Sequence, residues 1–204
     1  MFYLMYIIFV IPVLLFLPTK IIGRKNIRQL KSNFIVCCNH TSNWDAIILQ
    51  GRLPRRYIML GKAELFKNKL LGWFLRSLGA YPVRRGENDI ESVRHILRGL
   101  KDGKNLLIFP QGTRVKESEY LEIKNGTAMF ALKSQKPIVP CIFVKDTKLF
   151  RPNVLIVGKP YNLSEMEEFK DKKITKELLD SASEIIVNKM LELKTNYLED
   201  KNVK

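Results

Sequence analysis

Two of the 204 residues are histidines, and one of them, His40, stands where an apolar run stops. Phe34-Ile35-Val36-Cys37-Cys38 reads as a buried strand, Asn39-His40 ends it, and Asp45 follows five positions later. A strand leading into a helix turns the chain back, so a carboxylate in the first helical turn reaches an imidazole at the strand's tip. Such a carboxylate accepts a hydrogen bond from one ring nitrogen, fixes the tautomer and stabilises the imidazolium. The other nitrogen is left to take a proton from a hydroxyl. No nucleophilic Ser or Cys is evident with the pair, so the attacking hydroxyl would belong to a substrate. The plainer reading is a strand-end histidine hydrogen-bonded to a loop, with Asp45 favoured by the positive end of a helix.

A second run, Ile108-Phe109-Pro110-Gln111-Gly112-Thr113-Arg114, delivers polar groups from the end of another apolar strand. Gly112 permits a positive φ or close backbone approach. Thr113 supplies a hydroxyl, and Arg114 a planar fork matched to phosphate. Ligands of open α/β sheets gather at the carboxyl ends of strands, so the run fits an anion cradle; it also fits a tight turn with an exposed arginine. Between residues 61 and 86, Lys62 lies between a strand and an apolar-rich helix, and Arg84 and Arg85 follow a short strand. That stretch fits a core helix with basic loops, or an apolar groove for a lipid chain beside cations for its phosphate. His95, between Arg94 and Arg98, receives no role.

These residues need a scaffold of alternating elements. Strand-like runs fall at 33–38, 56–60, 80–83, 105–109, 137–143 and 153–157, and helical spacing of apolar residues at 44–52, 63–78, 88–101, 126–134 and 174–198. Ser42 or Asn43 would cap the first helix and Asn88 or Asp89 the third. Pro140 inside an apolar run implies an edge strand or a bulge. The alternation predicts an α/β domain with a mixed, largely parallel sheet flanked by helices.

Formal net charge is +15, and it is uneven: residues 1–164 carry 27 Lys/Arg against 10 Asp/Glu, residues 165–204 carry 8 against 10. A basic body favours an anionic membrane surface or another polyanion. Few aromatics interleave with the basic runs, which argues against nucleic acid as the partner. The first 18 residues hold no charged side chain, and Lys20, Arg24, Lys25, Arg28 and Lys31 follow. Residues 1–19 therefore read as a hydrophobic membrane anchor, either a short spanning helix or a kinked segment lying in one leaflet. The chain beyond it would stay on the cytoplasmic face by the positive-inside tendency. Three cysteines, none at metal-ligand spacing, fit buried thiols in a reducing compartment.

Taken together and in order, four motifs resemble the glycerolipid acyltransferase family, in particular its 1-acylglycerol-3-phosphate acyltransferases. Asn39-His40 with Asp45 matches its Asn-His-x4-Asp element. Lys62, Glu64, Leu65 and Val83-Arg84-Arg85 resemble its Lys-x-Glu-Leu block. Phe109 to Arg114 matches its Phe-Pro-Glu-Gly-Thr-Arg except at Gln111, and Val139-Pro140 its Val-Pro strand. The likeness covers about residues 33–160 and implies one acyltransferase domain over 20–204. It further implies acyl transfer from acyl-CoA or acyl carrier protein to the free hydroxyl of a lysophospholipid, lysophosphatidate giving phosphatidic acid. His40 would be the base and Asp45 its partner. Gln111, Gly112, Thr113 and Arg114, helped by Lys62, Arg84 and Arg85, would bind the acceptor. The thioester is already activated, so neither metal nor cofactor is expected. Gln111 in place of Glu is nearly isosteric but uncharged, and points to altered acceptor preference or a different lysophospholipid or lyso-aminolipid acceptor.

Overall fold

The computed structural model describes residues 6–53, 55–84, 89–115 and 123–202. Seven strands of the described chain form one sheet: β1 (Thr19–Ile22), β2 (Ile35–Cys38), β3 (Tyr57–Lys62), β4 (Ala80–Val83), β5 (Asn105–Ile108), β6 (Ile138–Phe143) and β7 (Asn153–Val157). Their order is β1-β7-β6-β2-β5-β3-β4. Every neighbouring pair is parallel except β6 with β7. The sheet is mixed and largely parallel, as the alternation predicts.

The continuous apolar runs of β2, β5 and β6 follow from burial on both faces. Successive side chains of a strand point oppositely. Phe34, Val36 and Cys38 accordingly enter one core with Leu14, Ile48 and Leu49. Ile35 and Cys37 enter the other with Ile96, Ala131, Ile186 and Met190. The first core is covered by α1 (Ile11–Leu15), α3 (Trp44–Arg52) and α4 (Lys69–Ser77); the second by α5 (Ile90–Lys101), α6 (Gly126–Ser134) and α7 (Lys176–Asn202). A four-residue turn of helix, α2 (Lys25–Arg28), follows β1. All three cysteines are buried and unbridged. Burial pushes their thiols well above the ordinary range.

Three details differ from the sequence reading, and one choice it left open is resolved. The expected helix over 63–78 is two pieces, a 3₁₀ turn at Ala63–Phe66 and then α4. Asn68 separates them: its side-chain oxygen accepts from the Leu71 N–H and starts a new helix. Asp89 caps α5, accepting from the Ser92 N–H, and Asn88 lies outside the described residues. Pro140 lies in an internal strand, not at an edge. The β6–β7 register ends at Cys141 opposite Val157, and Gly158, beside Pro140, leaves room for the ring: a Cβ there would come 2.8 Å from Pro140 Cγ. Finally, β1 was not anticipated.

Among the described residues no helix is long and apolar enough to cross a membrane, so the spanning version of the anchor is not met. Instead a π-helical turn, Tyr6–Val10, continues into α1. One side of this segment is packed on the body: Val10, Leu14 and Leu17 are buried. Gly51 permits the close approach to α3, because a Cβ there would meet Leu14 Cδ1 at 2.4 Å. Tyr6 donates to the Gly51 carbonyl, and Arg52 donates to that of Leu14. The other side is exposed: Ile7, Ile8, Phe9, Ile11, Leu15 and Phe16.

Candidate active site

β2, β3, β4, β5 and β6 run in parallel, so their carboxyl ends share one edge of the sheet, and the candidate residues lie along it. β2 ends at Cys38, and Asn39 locks its tip to β6. The Asn39 amide donates to the Phe143 carbonyl at 3.1 Å and accepts from the Phe143 N–H at 2.7 Å. His40 follows at once. Its ring lies flat against Phe109, with centroids 4.0 Å apart and planes 17° from parallel.

Asp45 stands in the first turn of α3, fully buried. Its Oδ2 is 3.0 Å from His40 Nδ1 and accepts from the backbone N–H groups of Thr41 and Ser42 at 2.7 Å each. Two main-chain donors and a helix start thus hold the carboxylate in place against the imidazole. Nδ1 facing a carboxylate carries the proton, so Nε2 is the basic nitrogen. Nε2 makes no hydrogen bond among the described residues, and the side chain remains 15% exposed. An imidazole oriented by a carboxylate and open on its other side is the arrangement that a general base for a hydroxyl requires.

The second motif is fastened to the first. The His40 N–H donates to Gln111 Oε1 at 2.8 Å, and the His40 carbonyl accepts from the Val115 N–H at 2.9 Å. Residues 109–115 are therefore held beside His40. Gly112 has φ +69°, a conformation that excludes a side chain without strain. Thr113 and Arg114 are exposed on that turn, and Arg114 has no carboxylate partner among the described residues.

Gln111 is 4% exposed and is spent on the backbone of His40, and its Nε2 has no partner among the described residues. A glutamate would accept the same N–H and would place a charge behind His40. Gln111→Glu is expected to fold like the parent and to change the rate or the preference among lysolipids. Melting curves and turnover on an acceptor panel check this; identical activity on every acceptor would remove position 111 as a specificity element.

Lys62 closes β3, three residues past Met59, whose register partner is Leu107 of β5. β5 runs parallel to β3, so Lys62 lies on the same edge of the sheet as the turn that follows β5. It is exposed and pairs with Glu64 at 3.6 Å. Arg84 follows β4 at the sheet's border, its N–H donating to Asp89. Two strands separate it from β2, which puts it at the rim of the site and not at its centre. Arg85 lies outside the described residues. Asn39 and Phe109 also hold the surroundings of His40 in place, though motif reading gave them no role: both act through neighbours made adjacent only by strand pairing.

A largely parallel α/β sheet thus carries a His–Asp pair at its carboxyl edge, with the turn that bears Arg114 hydrogen-bonded to it. The comparisons supply the family. A family model described as Acyltransferase matches residues 18–144. A 1-acyl-sn-glycerol-3-phosphate acyltransferase of Bacillus subtilis is 31% identical over 160 residues, 76% of this chain and 79% of that protein. One of Streptococcus pneumoniae is 27% identical over 149 residues, 70% of this chain and 55% of that protein. The crystal structure of the 1-acyl-sn-glycerophosphate (LPA) acyltransferase PlsC from Thermotoga maritima matches with a TM-score of 0.65 at 26% identity, covering 88% of this chain and 73% of that one. The chain belongs to the acyltransferase family and is an enzyme of that kind.

Proposed function

We propose that this enzyme moves a fatty acyl group from a thioester, acyl-CoA or acyl carrier protein, to the free hydroxyl of 1-acyl-sn-glycerol 3-phosphate at a membrane surface. The observation that carries the reading is the pair of hydrogen bonds that the His40 main chain makes with the next motif, its N–H to the Gln111 side chain and its carbonyl from the Val115 N–H. They hold the imidazole and the turn that bears Arg114 side by side, which supports a base acting next to a bound phosphate. In the step itself, Nε2 of His40 takes the proton as the hydroxyl oxygen attacks the thioester carbonyl. Asp45 stabilises the imidazolium. Collapse of the tetrahedral adduct breaks the C–S bond, and the departing sulfur takes that proton as thiol. Arg114 holds the acceptor phosphate, with Lys62 and Arg84 adding charge from the rim.

The apolar face supports the location. The exposed side of residues 7–16 continues through the Phe9–Phe74 edge contact (5.3 Å) to Leu70, Leu71 and Trp73 of α4, and through Phe16–Phe150 (5.4 Å) to Phe150. Leu70, Leu15 and Phe150 are 80%, 75% and 72% exposed. Lys20, Lys67, Lys69, Arg76 and Arg151, also exposed, belong to the same segments or adjoin them. Apolar residues ringed by cations suit a helix pair lying in one anionic leaflet.

The test combines the full chain with acyl-CoA or acyl carrier protein and a panel of lysolipids on vesicles. Thiol release is expected with lysophosphatidate, and co-flotation with anionic vesicles is expected to exceed that with neutral ones. Release confined to another lysolipid would replace the acceptor; failure to float on either vesicle would remove the membrane surface.

A further inference from the structure

Beside the Gly112 turn lies a cation that the motif reading did not include. Lys124 lays its side chain across Gly112: a Cβ built on that glycine would meet Lys124 Cδ and Cε at 3.3 Å each and Nζ at 3.5 Å. The glycine is thus needed twice, for its positive φ and for the lysine stem above it. The Lys124 N–H donates to the Pro110 carbonyl at 2.9 Å. On its carboxyl side, Asn125 donates to Asp180 and accepts from the Ser183 hydroxyl at 2.8 Å, both on α7. On its amino side, Ile123 packs on the second core. The backbone of this lysine is therefore fixed on three sides, and its ammonium is delivered to the turn that also carries Thr113 and Arg114. Among the described residues Lys124 has no carboxylate within ion-pair distance.

We infer that Lys124 is a binding residue for the acceptor's phosphate, acting with Arg114 across the Gly112 turn; this rests on the proposed acceptor carrying a phosphate monoester. A guanidinium fork and an ammonium on one turn present donors from two directions, which suits a dianion better than a carboxylate or a zwitterionic head group. The stem also packs on Gly112, so the test separates charge from packing. Lys124→Met keeps an unbranched apolar stem and loses the charge; Lys124→Arg keeps the charge.

The expected result is a KM for lysophosphatidate raised roughly ten- to hundredfold in the Met variant, with kcat and the KM for the acyl donor little changed, and recovery in the Arg variant. A second measurement is independent of turnover: glycerol 3-phosphate titrated into the full chain and followed by ³¹P NMR. Its affinity should fall about tenfold in the Met variant and hold in the Arg variant. An unchanged lysophosphatidate KM in a folded Met variant, or glycerol 3-phosphate binding indifferent to residue 124, overturns the inference. Wild-type chain that binds glycerol 3-phosphate through Lys124 yet acylates a different lysolipid would count against the acceptor reading and leave Lys124 in place.

Discussion

His40→Ala is expected to lower thiol release by roughly 10²–10⁴-fold, the range that a positioned general base contributes. The loss should be chemical and not structural. What ties residue 40 into the fold is its main chain, whose N–H is held by Gln111 and whose carbonyl is held by Val115. Alanine keeps both bonds. It loses the stacking on Phe109 and leaves Asp45 without one of its partners, while Thr41 and Ser42 continue to donate to that carboxylate. Melting should shift little, and kcat should carry the loss while acceptor binding persists, because no part of the cationic turn is touched. Thiol release near the wild-type rate in folded His40→Ala protein would remove the imidazole from the reaction.

Much of this site can be read from residue types because it is local. His40 and Asp45 are five apart across a strand–helix junction, and Gly112, Thr113 and Arg114 are consecutive. Chain geometry alone brings each set together. The parallel arrangement is legible for a related reason: β2, β5 and β6 are apolar on both sides, as strands between two helical layers must be. What depends on pairing between distant strands is not legible. Nothing in the surroundings of Asn39 says that it will clamp Phe143, 104 residues away. The nearness of Lys124 to Gly112 is set by the path the chain takes between β5 and α6. Gln111 illustrates the limit: its mismatch to the family pattern is visible, but the sequence suggests a contact with the acceptor where the fold shows a buried bond to the backbone of His40. β1 is four residues with only partial burial, too short for an alternation to register. The first nineteen residues advertise their apolar character, but not that half of it is used against α3. That division depends on Gly51, a residue more than thirty positions later.

Asp45→Asn should cut turnover nearly as deeply as loss of the histidine, by roughly 10²–10⁴-fold, and should also cost stability. Oδ2 accepts from three donors, two of which are backbone N–H groups that cannot turn away. The asparagine must therefore put its carbonyl oxygen there, since an NH₂ would face the Thr41 and Ser42 donors. In that orientation the bond to His40 Nδ1–H survives, but the negative charge that stabilises the imidazolium is gone. The base becomes weaker as the proton moves. The amide nitrogen then takes the place of Oδ1, which is buried with no partner among the described residues. A buried donor without an acceptor costs about 1–3 kcal/mol, so the melting temperature should fall by several degrees. Two readouts follow: a depressed kcat with a preserved KM for lysophosphatidate, and a lowered melting temperature absent from His40→Ala. Turnover within about tenfold of wild type would mean that Asp45 shapes the loop without serving the proton transfer.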